Sequence, residues 1–131
     1  MSASFSNKLL DWYNQNKRDL PWRKTKNPYK IWVSEIILQQ TRIEFGTKYY
    51  NRFLEKYPDV MKLANSSDRD LMKIWEGLGY YSRAINMLKT AKIIVNSYNG
   101  VFPSKYEQLI QLPGIGDYTA SAISSICNNE L

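Results

Sequence analysis

The chain has 131 residues, a net charge of +6, 44% hydrophobic residues and 14% aromatic residues. This composition predicts one globular domain with a substantial core and a basic surface that suits a polyanionic partner. Histidine is absent and Cys127 is the single cysteine, which excludes Ser-His-Asp and Cys-His catalysis, an internal disulfide and a cysteine-rich metal site within this chain.

The N-terminal segment, SFSNKLLDWYNQNK, has apolar residues at the spacing of an amphipathic helix: Phe5, Leu9, Trp12 and Tyr13. It contains no long apolar run, so we expect no signal peptide, no membrane span and a cytoplasmic location. The next segment, RDLPWRKTKNPY, carries two prolines and predicts a connector between helices.

A second helix is predicted where Asn27 precedes Pro28, because asparagine is a favoured N-cap and proline is tolerated in the first turn. This helix is predicted to extend through about Ile43. Glu35 is its unusual residue, because the side chains one turn away on the same face are apolar or uncharged: Ile31, Trp32, Leu38 and Gln39.

The surroundings of Glu35 decide its chemistry. An apolar environment removes hydration from a carboxyl group, which raises its pKa and makes it a proton donor near neutral pH. Glu35 is therefore a candidate general acid. Two structural alternatives stay open: a distant arginine pairs with Glu35 in the core, or the helix turns it outward.

Helical spacing continues through the middle of the chain. A third helix contains Tyr49, Tyr50 and Phe53 and stops before Pro58. Ser67 is a favoured N-cap for a short helix in SSDRDLMKIW. A longer helix is predicted in SRAINMLKTAKIIVNSY, and no segment shows the alternating pattern of a strand. The predicted fold class is therefore all-α with short connections.

The segment WEGLGYYSRA places Gly77 and Gly79 on either side of Leu78. A glycine loop that displays Leu78 and Tyr80 at a helix start is able to insert an apolar wedge between bases. In the alternative interpretation these residues cap the core beneath a junction of two helices, because aromatic residues are mostly buried.

Two more helices are predicted around the stretch QLPGIGDYTASAI. SKYE, which begins at Ser104, fits a capping box for a short helix, and the run from Thr119 to Ile126 predicts the last helix. Gly114 and Gly116 remove two side chains from the turn, so its backbone is able to approach another surface closely. Free N–H groups at a helix start also favour an anion. The alternative is a plain helix–helix connection that requires glycine.

Three segments together carry a resemblance. WVSEIILQQT, WEGLGYYSRA and LPGIGDYTASAI, in this order, resemble adenine DNA glycosylases of the MutY type, within the helix-hairpin-helix superfamily of base-excision DNA glycosylases. The resemblance covers roughly Leu20 to Ser125. It implies a six-helix barrel domain in residues 20–131, with the helix-hairpin-helix at about 105–127. It also implies that residues 1–19 form an N-terminal helix of a neighbouring domain that holds an iron–sulfur cluster.

The resemblance assigns roles to individual residues, and Glu35 falls on the catalytic acid that protonates N7 of adenine. The adenine pocket would be formed by Trp22, Arg23, Leu38, Ile43 and Tyr118. The wedge, or the contact with 8-oxoguanine, would be formed by Gln40, Thr41, Leu78 and Tyr80. A DNA phosphate would be held by the backbone near Gly114 and Gly116. The resemblance also allows a hydrated monovalent cation on the hairpin carbonyls.

Two residues beside the hairpin refine this expectation. Tyr118 falls where bifunctional relatives of the endonuclease III type carry a nucleophilic lysine, and a phenol cannot form a Schiff base. This favours a monofunctional enzyme. Asp117 follows the second glycine, where many relatives carry a basic residue. A carboxylate there suits a helix N-terminus but repels phosphate.

The resemblance implies double-stranded DNA as the partner, with adenine opposite 8-oxoguanine or guanine as the substrate, in the nucleoid of a bacterial cytoplasm. It places a second catalytic carboxylate, the [4Fe-4S] cysteines and a domain that checks for 8-oxoguanine beyond Leu131. We therefore expect an inactive N-terminal fragment, with Cys127 as a core residue and no metal or cofactor within this chain. The alternatives are an endonuclease III-like glycosylase and a non-catalytic helix-hairpin-helix DNA-binding module.

Overall fold

The computed structural model of the chain describes residues 25–39 and 43–128. All regular secondary structure in these residues is helical, which confirms the predicted all-α class. The helices are α1 (Pro28–Leu38), α2 (Ile43–Lys56), α3 (Val60–Ala64), α4 (Asp68–Trp75), α5 (Tyr81–Ser97), α6 (Tyr106–Leu109) and α7 (Asp117–Asn128). The predicted N-terminal helix at 1–19 lies outside the described residues. Within the described ranges, no helix has the length and apolar character needed to cross a membrane.

Helix α1 begins as predicted but ends earlier. The Asn27 side-chain oxygen accepts a hydrogen bond from the Tyr29 N–H at 2.9 Å, which caps the first turn. The helix ends at Leu38 with Gln39 as its C-cap, and Ile43 opens α2. The predicted end at about Ile43 was therefore wrong. The sequence gives no sign of this break, because the segment LQQTRI contains neither glycine nor proline.

Local capping differs from the prediction at α3 and α6. Asp59 caps α3 by accepting a hydrogen bond from the Lys62 N–H at 2.9 Å, and this short helix was not predicted. The predicted capping box at Ser104 was wrong, because Lys105 occupies the N-cap of α6 without a side-chain hydrogen bond. The Ser104 carbonyl instead accepts a hydrogen bond from the Asn128 side chain at 2.9 Å. This bond joins the segment before α6 to the end of α7.

Helix α1 lies at the centre of the fold. It packs against α2 and α7, while α5 packs against α3 and α4. Most residues of α1 are therefore buried, and Trp32 joins an aromatic cluster with Tyr29 and Phe102 at ring-centroid distances of 6.1 and 5.1 Å. Aromatic rings bury large apolar areas and dominate core energetics. Because α1 is central, its one carboxyl group, Glu35, is carried into the core.

Helices α6 and α7 pack against each other across the turn that carries Gly114 and Gly116. Helix α7 begins at Asp117, earlier than the predicted Thr119. The arrangement has the order of the helix-hairpin-helix predicted at about 105–127. The assignment of residues 20–131 to one domain stays a prediction.

Candidate active site and nucleic-acid interface

A cleft of about 360 Å³ lies where the end of α1, the first turns of α5 and the glycine turn before α7 meet. Its walls combine apolar side chains, such as Trp32 and Ile36, with a larger number of polar side chains. The residues that line it include Trp32, Gln39, Arg83, Asn86, Tyr118 and Thr119.

Glu35 is buried beside this cleft and is only 2% exposed. Trp32 and Gln39, which lie one helical turn to either side of Glu35, both line the cleft. Glu35 also acts on Tyr118 of α7, because burial first and the negative charge of Glu35 second raise the pKa of the Tyr118 phenol. The alternative in which α1 turns Glu35 outward is therefore excluded.

Glu35 is buried, and the alternative in which a distant arginine pairs with it stays open. Burial disfavours the charged form of a carboxyl group. A phenol with a raised pKa stays protonated at neutral pH, so the Tyr118 side chain that lines the cleft is neutral. The predicted role of Glu35 requires that its proton reaches a base in the cleft, and this role stays a prediction.

The other residues predicted for the adenine pocket are placed less completely. Leu38 is partly buried and packs against the core from the end of α1. Ile43 is the first residue of α2, and its side chain lies outside the described part of the structure. Trp22 and Arg23 also fall outside the described residues. The roles of these four residues stay predictions.

The glycine turn has an exposed backbone, and contacts with α5 and the core fix its position. Gly114 has a φ of +76°, in the left-handed region that favours glycine. The Thr90 hydroxyl of α5 donates to the Pro113 carbonyl at 2.6 Å, and the buried side chain of Ile115 anchors the turn in the core. Gly114 and Gly116 are both exposed. This geometry suits the predicted phosphate contact, which stays a prediction.

Asp117 follows this turn directly and begins α7. The Tyr106 hydroxyl of α6 donates a hydrogen bond to the Asp117 carboxylate, and this bond is the main cause that raises the pKa of Tyr106. The carboxylate also lies at a helix N-terminus, where negative charge is favoured. The hydrogen bond between Tyr106 and Asp117 therefore joins α6 to the start of α7. This contact gives Asp117, which departs from the resemblance, a structural role.

The two wedge candidates in the glycine loop differ in exposure. Leu78 is 8% exposed and belongs to the core, whereas Tyr80 is 71% exposed. The Trp75 indole N–H donates to the Gly79 carbonyl at 2.8 Å and so holds the loop against the core. The burial of Leu78 fits the alternative core interpretation, and the exposure of Tyr80 fits the wedge. The remaining two wedge candidates lie outside the described residues: Gln40 and Thr41.

The sequence did not reveal a cluster of polar side chains at the cleft, formed by Gln39, Arg83, Asn86 and Thr119. Gln39 Nε2 donates to Thr119 Oγ1 at 3.2 Å, and Arg83 Nη1 donates to Gln39 Oε1. Asn86 lines the same cleft one turn farther along α5. The available signal was the helical spacing of Arg83 and Asn86 directly after the glycine loop, which places both on one face of α5.

The resemblance places the cysteines of an iron–sulfur cluster beyond Leu131, and this chain has too few cysteines to hold one. Such clusters are usually held by four cysteine thiolates, and Cys127 is the single cysteine. Burial raises the pKa of the Cys127 thiol to about 11, and this side chain packs against the core. Among the described residues, no group of three or more potential metal ligands comes together.

Comparison with known proteins places these features in one family. Residues 33–128 match the HhH-GPD superfamily of base excision DNA repair proteins. The matched range contains Glu35, the glycine loop and the hairpin. The chain belongs to this superfamily.

Relatives of this HhH-GPD chain are named adenine DNA glycosylase. The chain is 46% identical over 122 residues to that of Buchnera aphidicola subsp. Baizongia pistaciae (strain Bp), which covers 92% of this chain and 35% of the relative. It is 42% identical over 133 residues to that of Homo sapiens, which covers 95% of this chain and 24% of the relative. The chain therefore spans about a third or less of the length of these relatives.

Two solved structures share the HhH-GPD fold of this chain. A thermostable thymine-DNA glycosylase aligns with a TM-score of 0.80 at 29% identity, over 98% of this chain and 59% of that one. A trapped endonuclease III–DNA covalent intermediate aligns with a TM-score of 0.72 at 21% identity, over 95% of this chain and 61% of that one. The second likeness shows the fold alone. Together they confirm the predicted fold of the helix-hairpin-helix DNA glycosylases.

Proposed function

We propose that this chain is the base-recognition domain of an adenine DNA glycosylase. The enzyme binds double-stranded DNA and removes adenine mispaired with 8-oxoguanine or guanine by hydrolysis of the N-glycosidic bond. The relatives named adenine DNA glycosylase support the choice of base. The observation that carries the chemistry is the burial of Glu35 beside a cleft that Tyr118 lines.

Binding to DNA is proposed to use the surface around the cleft. An enzyme that acts on a base in a duplex must extrude the nucleotide into a pocket. The exposed ring of Tyr80 is suited to support the opened stack, and the exposed turn at Gly114 and Gly116 is suited to hold a phosphate and set the register. The net charge of +6 adds attraction to the phosphate backbone.

The proposed chemical step begins at Glu35. Its carboxyl proton passes to N7 of the extruded adenine, so the base leaves without a negative charge as the bond to the sugar breaks. Water then adds to the sugar carbon and releases a proton, which completes hydrolysis. Tyr118 lines the cleft as a neutral phenol. Because a phenol cannot form a Schiff base, the proposal includes no covalent amine adduct at that position.

Replacement of the carboxyl group by an amide tests this proposal. In the full-length gene product, Glu35→Gln keeps the side-chain shape but removes the proton, so single-turnover release of adenine should fall about 100-fold or more while mismatch binding persists. Glu55→Gln is the matched control, because Glu55 is exposed on α2. Excision by Glu35→Gln within about threefold of the unmodified protein would refute the assignment.

The choice of duplex separates this proposal from the alternatives. An adenine glycosylase releases adenine opposite 8-oxoguanine and leaves thymine glycol in place. An endonuclease III-like enzyme does the reverse, and a DNA-binding module releases neither base. The monovalent cation at the hairpin and the iron–sulfur cluster stay predictions for the full-length product.

A further inference from the structure

One side chain, Gln39, connects three helices at the cleft. It is the C-cap of α1, its Nε2 donates to Thr119 Oγ1 of α7, and its Oε1 accepts from Arg83 Nη1 of α5. All three residues line the cleft. Gln39 is nevertheless exposed, and an exposed side chain that is held by two partners gives up rotamer freedom. The amide suits this geometry because it offers a donor to Thr119 and an acceptor to Arg83 at once.

Arg83 contacts both Gln39 and the exposed ring of Tyr80. Its guanidinium carbon lies 5.8 Å from the centroid of the Tyr80 ring, within the range of a cation–π contact. Tyr80 is the N-cap of α5 and has a left-handed φ of +48°, which is unfavourable for a residue with a side chain. Such a conformation persists only where its surroundings hold it. Arg83 contacts Tyr80 twice, because its backbone N–H also donates to the Tyr80 carbonyl at 2.9 Å.

Gln39 and Thr119 also lie near the proposed proton donor. Gln39 lies one helical turn after Glu35 on α1, and Thr119 follows Tyr118 on α7. One amide therefore links Arg83 to the helix ends that carry Glu35 and Tyr118.

From these contacts we infer that Gln39 and Arg83 are positioning residues that couple the aromatic wedge at Tyr80 to the acid beside the cleft. The inference rests on the proposed function. The pair holds α1, α5 and α7 at one separation while the DNA stack is opened, so that the extruded base meets Glu35 at a productive distance. Loss of the pair should therefore slow base extrusion and the chemical step without removing DNA affinity, since a misplacement of about 1 Å can cost 100-fold in rate.

Apolar replacements in the full-length gene product test this inference. Gln39→Leu and Arg83→Met remove the hydrogen bonds at similar size, and each should lower the single-turnover rate about tenfold to 100-fold. Gln39→Glu should recover most of the rate, because a carboxylate accepts from Arg83 and from a rotated Thr119 hydroxyl. Two exposed residues outside the cleft give matched controls: Gln108→Leu and Arg69→Met.

Base extrusion is measured separately with 2-aminopurine in place of the mispaired adenine, because its fluorescence rises when it leaves the stack. The inference requires that both apolar variants reduce this rise while Kd and Tm stay close to those of the controls. It also requires that the double variant is little worse than either single variant, as expected for residues that act as a unit.

Three outcomes would overturn the inference. One is a loss of affinity with an unchanged rate, which would make Arg83 a phosphate contact only. Another is a Tm that falls in parallel with the rate, and the third is additive single effects. If the unmodified protein opens the stack but releases no adenine, the proposed function fails while the 2-aminopurine comparison still decides the positioning role.

Discussion

The Cβ atom of Asn86 lies so close to the backbone of Gly114 that a methyl group on Gly114 would approach it to 2.9 Å. Gly114 also has a left-handed φ of +76°, so two independent constraints require glycine there. Gly116 differs, because its φ is not in that region and a methyl group on it would meet nothing within 4 Å. The fold therefore requires the first glycine, whereas open space surrounds the second.

This contrast predicts different effects for the same substitution. Gly114→Ala should lower the free energy of unfolding by about 1–3 kcal/mol, because it adds backbone strain and a contact with a Cβ atom that cannot swing away. Gly116→Ala should change it by less than about 0.5 kcal/mol but weaken duplex binding, because it adds a methyl group to the exposed turn that is predicted to contact a phosphate. Urea unfolding and fluorescence anisotropy measure the two effects. Equal losses of stability would contradict the distinction.

The glycine loop offers a second matched comparison. Tyr80→Ala should keep the stability of the fold and weaken engagement of mispaired DNA, because base stacking on an aromatic ring contributes about 1–3 kcal/mol. Leu78→Ala should instead cost about 2–5 kcal/mol of stability, as expected for a buried leucine. Thermal unfolding and mismatch binding are measured for both variants. A collapse of stability in Tyr80→Ala would assign Tyr80 to the core after all.

The negative charge of Asp117 beside the hairpin predicts how duplex affinity depends on salt. Asp117→Lys should raise duplex affinity and steepen the plot of log K against log salt by about 0.9, because a cation beside the hairpin neutralises one more phosphate. Tyr106→Phe removes the same hydrogen bond without changing the net charge, so it should leave the salt slope unchanged. If both variants alter the slope equally, hairpin geometry rather than charge controls binding.

Buried phenols predict a loss of stability at high pH. Burial raises the pKa of Tyr50 to about 12, whereas an unfolded tyrosine ionises near its ordinary pKa of 10. The folded state thus binds more protons than the unfolded state between these values. This contribution to stability is fully present below pH 10 and is lost as the pH rises towards 12, at about 1.4 kcal/mol per pH unit for each such group.

Replacement of one phenol tests the predicted fall in the free energy of unfolding with pH. Tyr50→Phe should flatten the fall in the free energy of unfolding between about pH 10 and 12 by the contribution of one group, whatever its effect at neutral pH. Tyr81→Phe is the control, because Tyr81 is exposed on α5. Urea unfolding across this range measures both variants. An unchanged slope in Tyr50→Phe would mean that Tyr50 ionises equally in the folded and unfolded states.

Local chemistry explains what could be predicted from the amino-acid sequence. Asn27 and Ser67 mark helix starts because each side chain caps N–H groups within three residues of itself. Gly77 and Gly79 mark a break because both adopt left-handed backbone that other residues avoid. The end of α1 and the short helix α3 were missed because their local signals are weak. The burial of Glu35 was predictable because apolar neighbours on one helix already imply desolvation, whereas its role as an acid stays a prediction.

By itself, the sequence thus determined the helical class, the starts of α1 and α4, and the candidate acid, since these depend on interactions within one or two turns. Only the tertiary structure decided that Leu78 is buried while Tyr80 is exposed, because burial depends on which surfaces pack together. It alone brought Gln39 to Thr119, which lies 80 positions away in the sequence. No local pattern encodes such a contact, because it arises from the packing of α1 against α7 around a shared core.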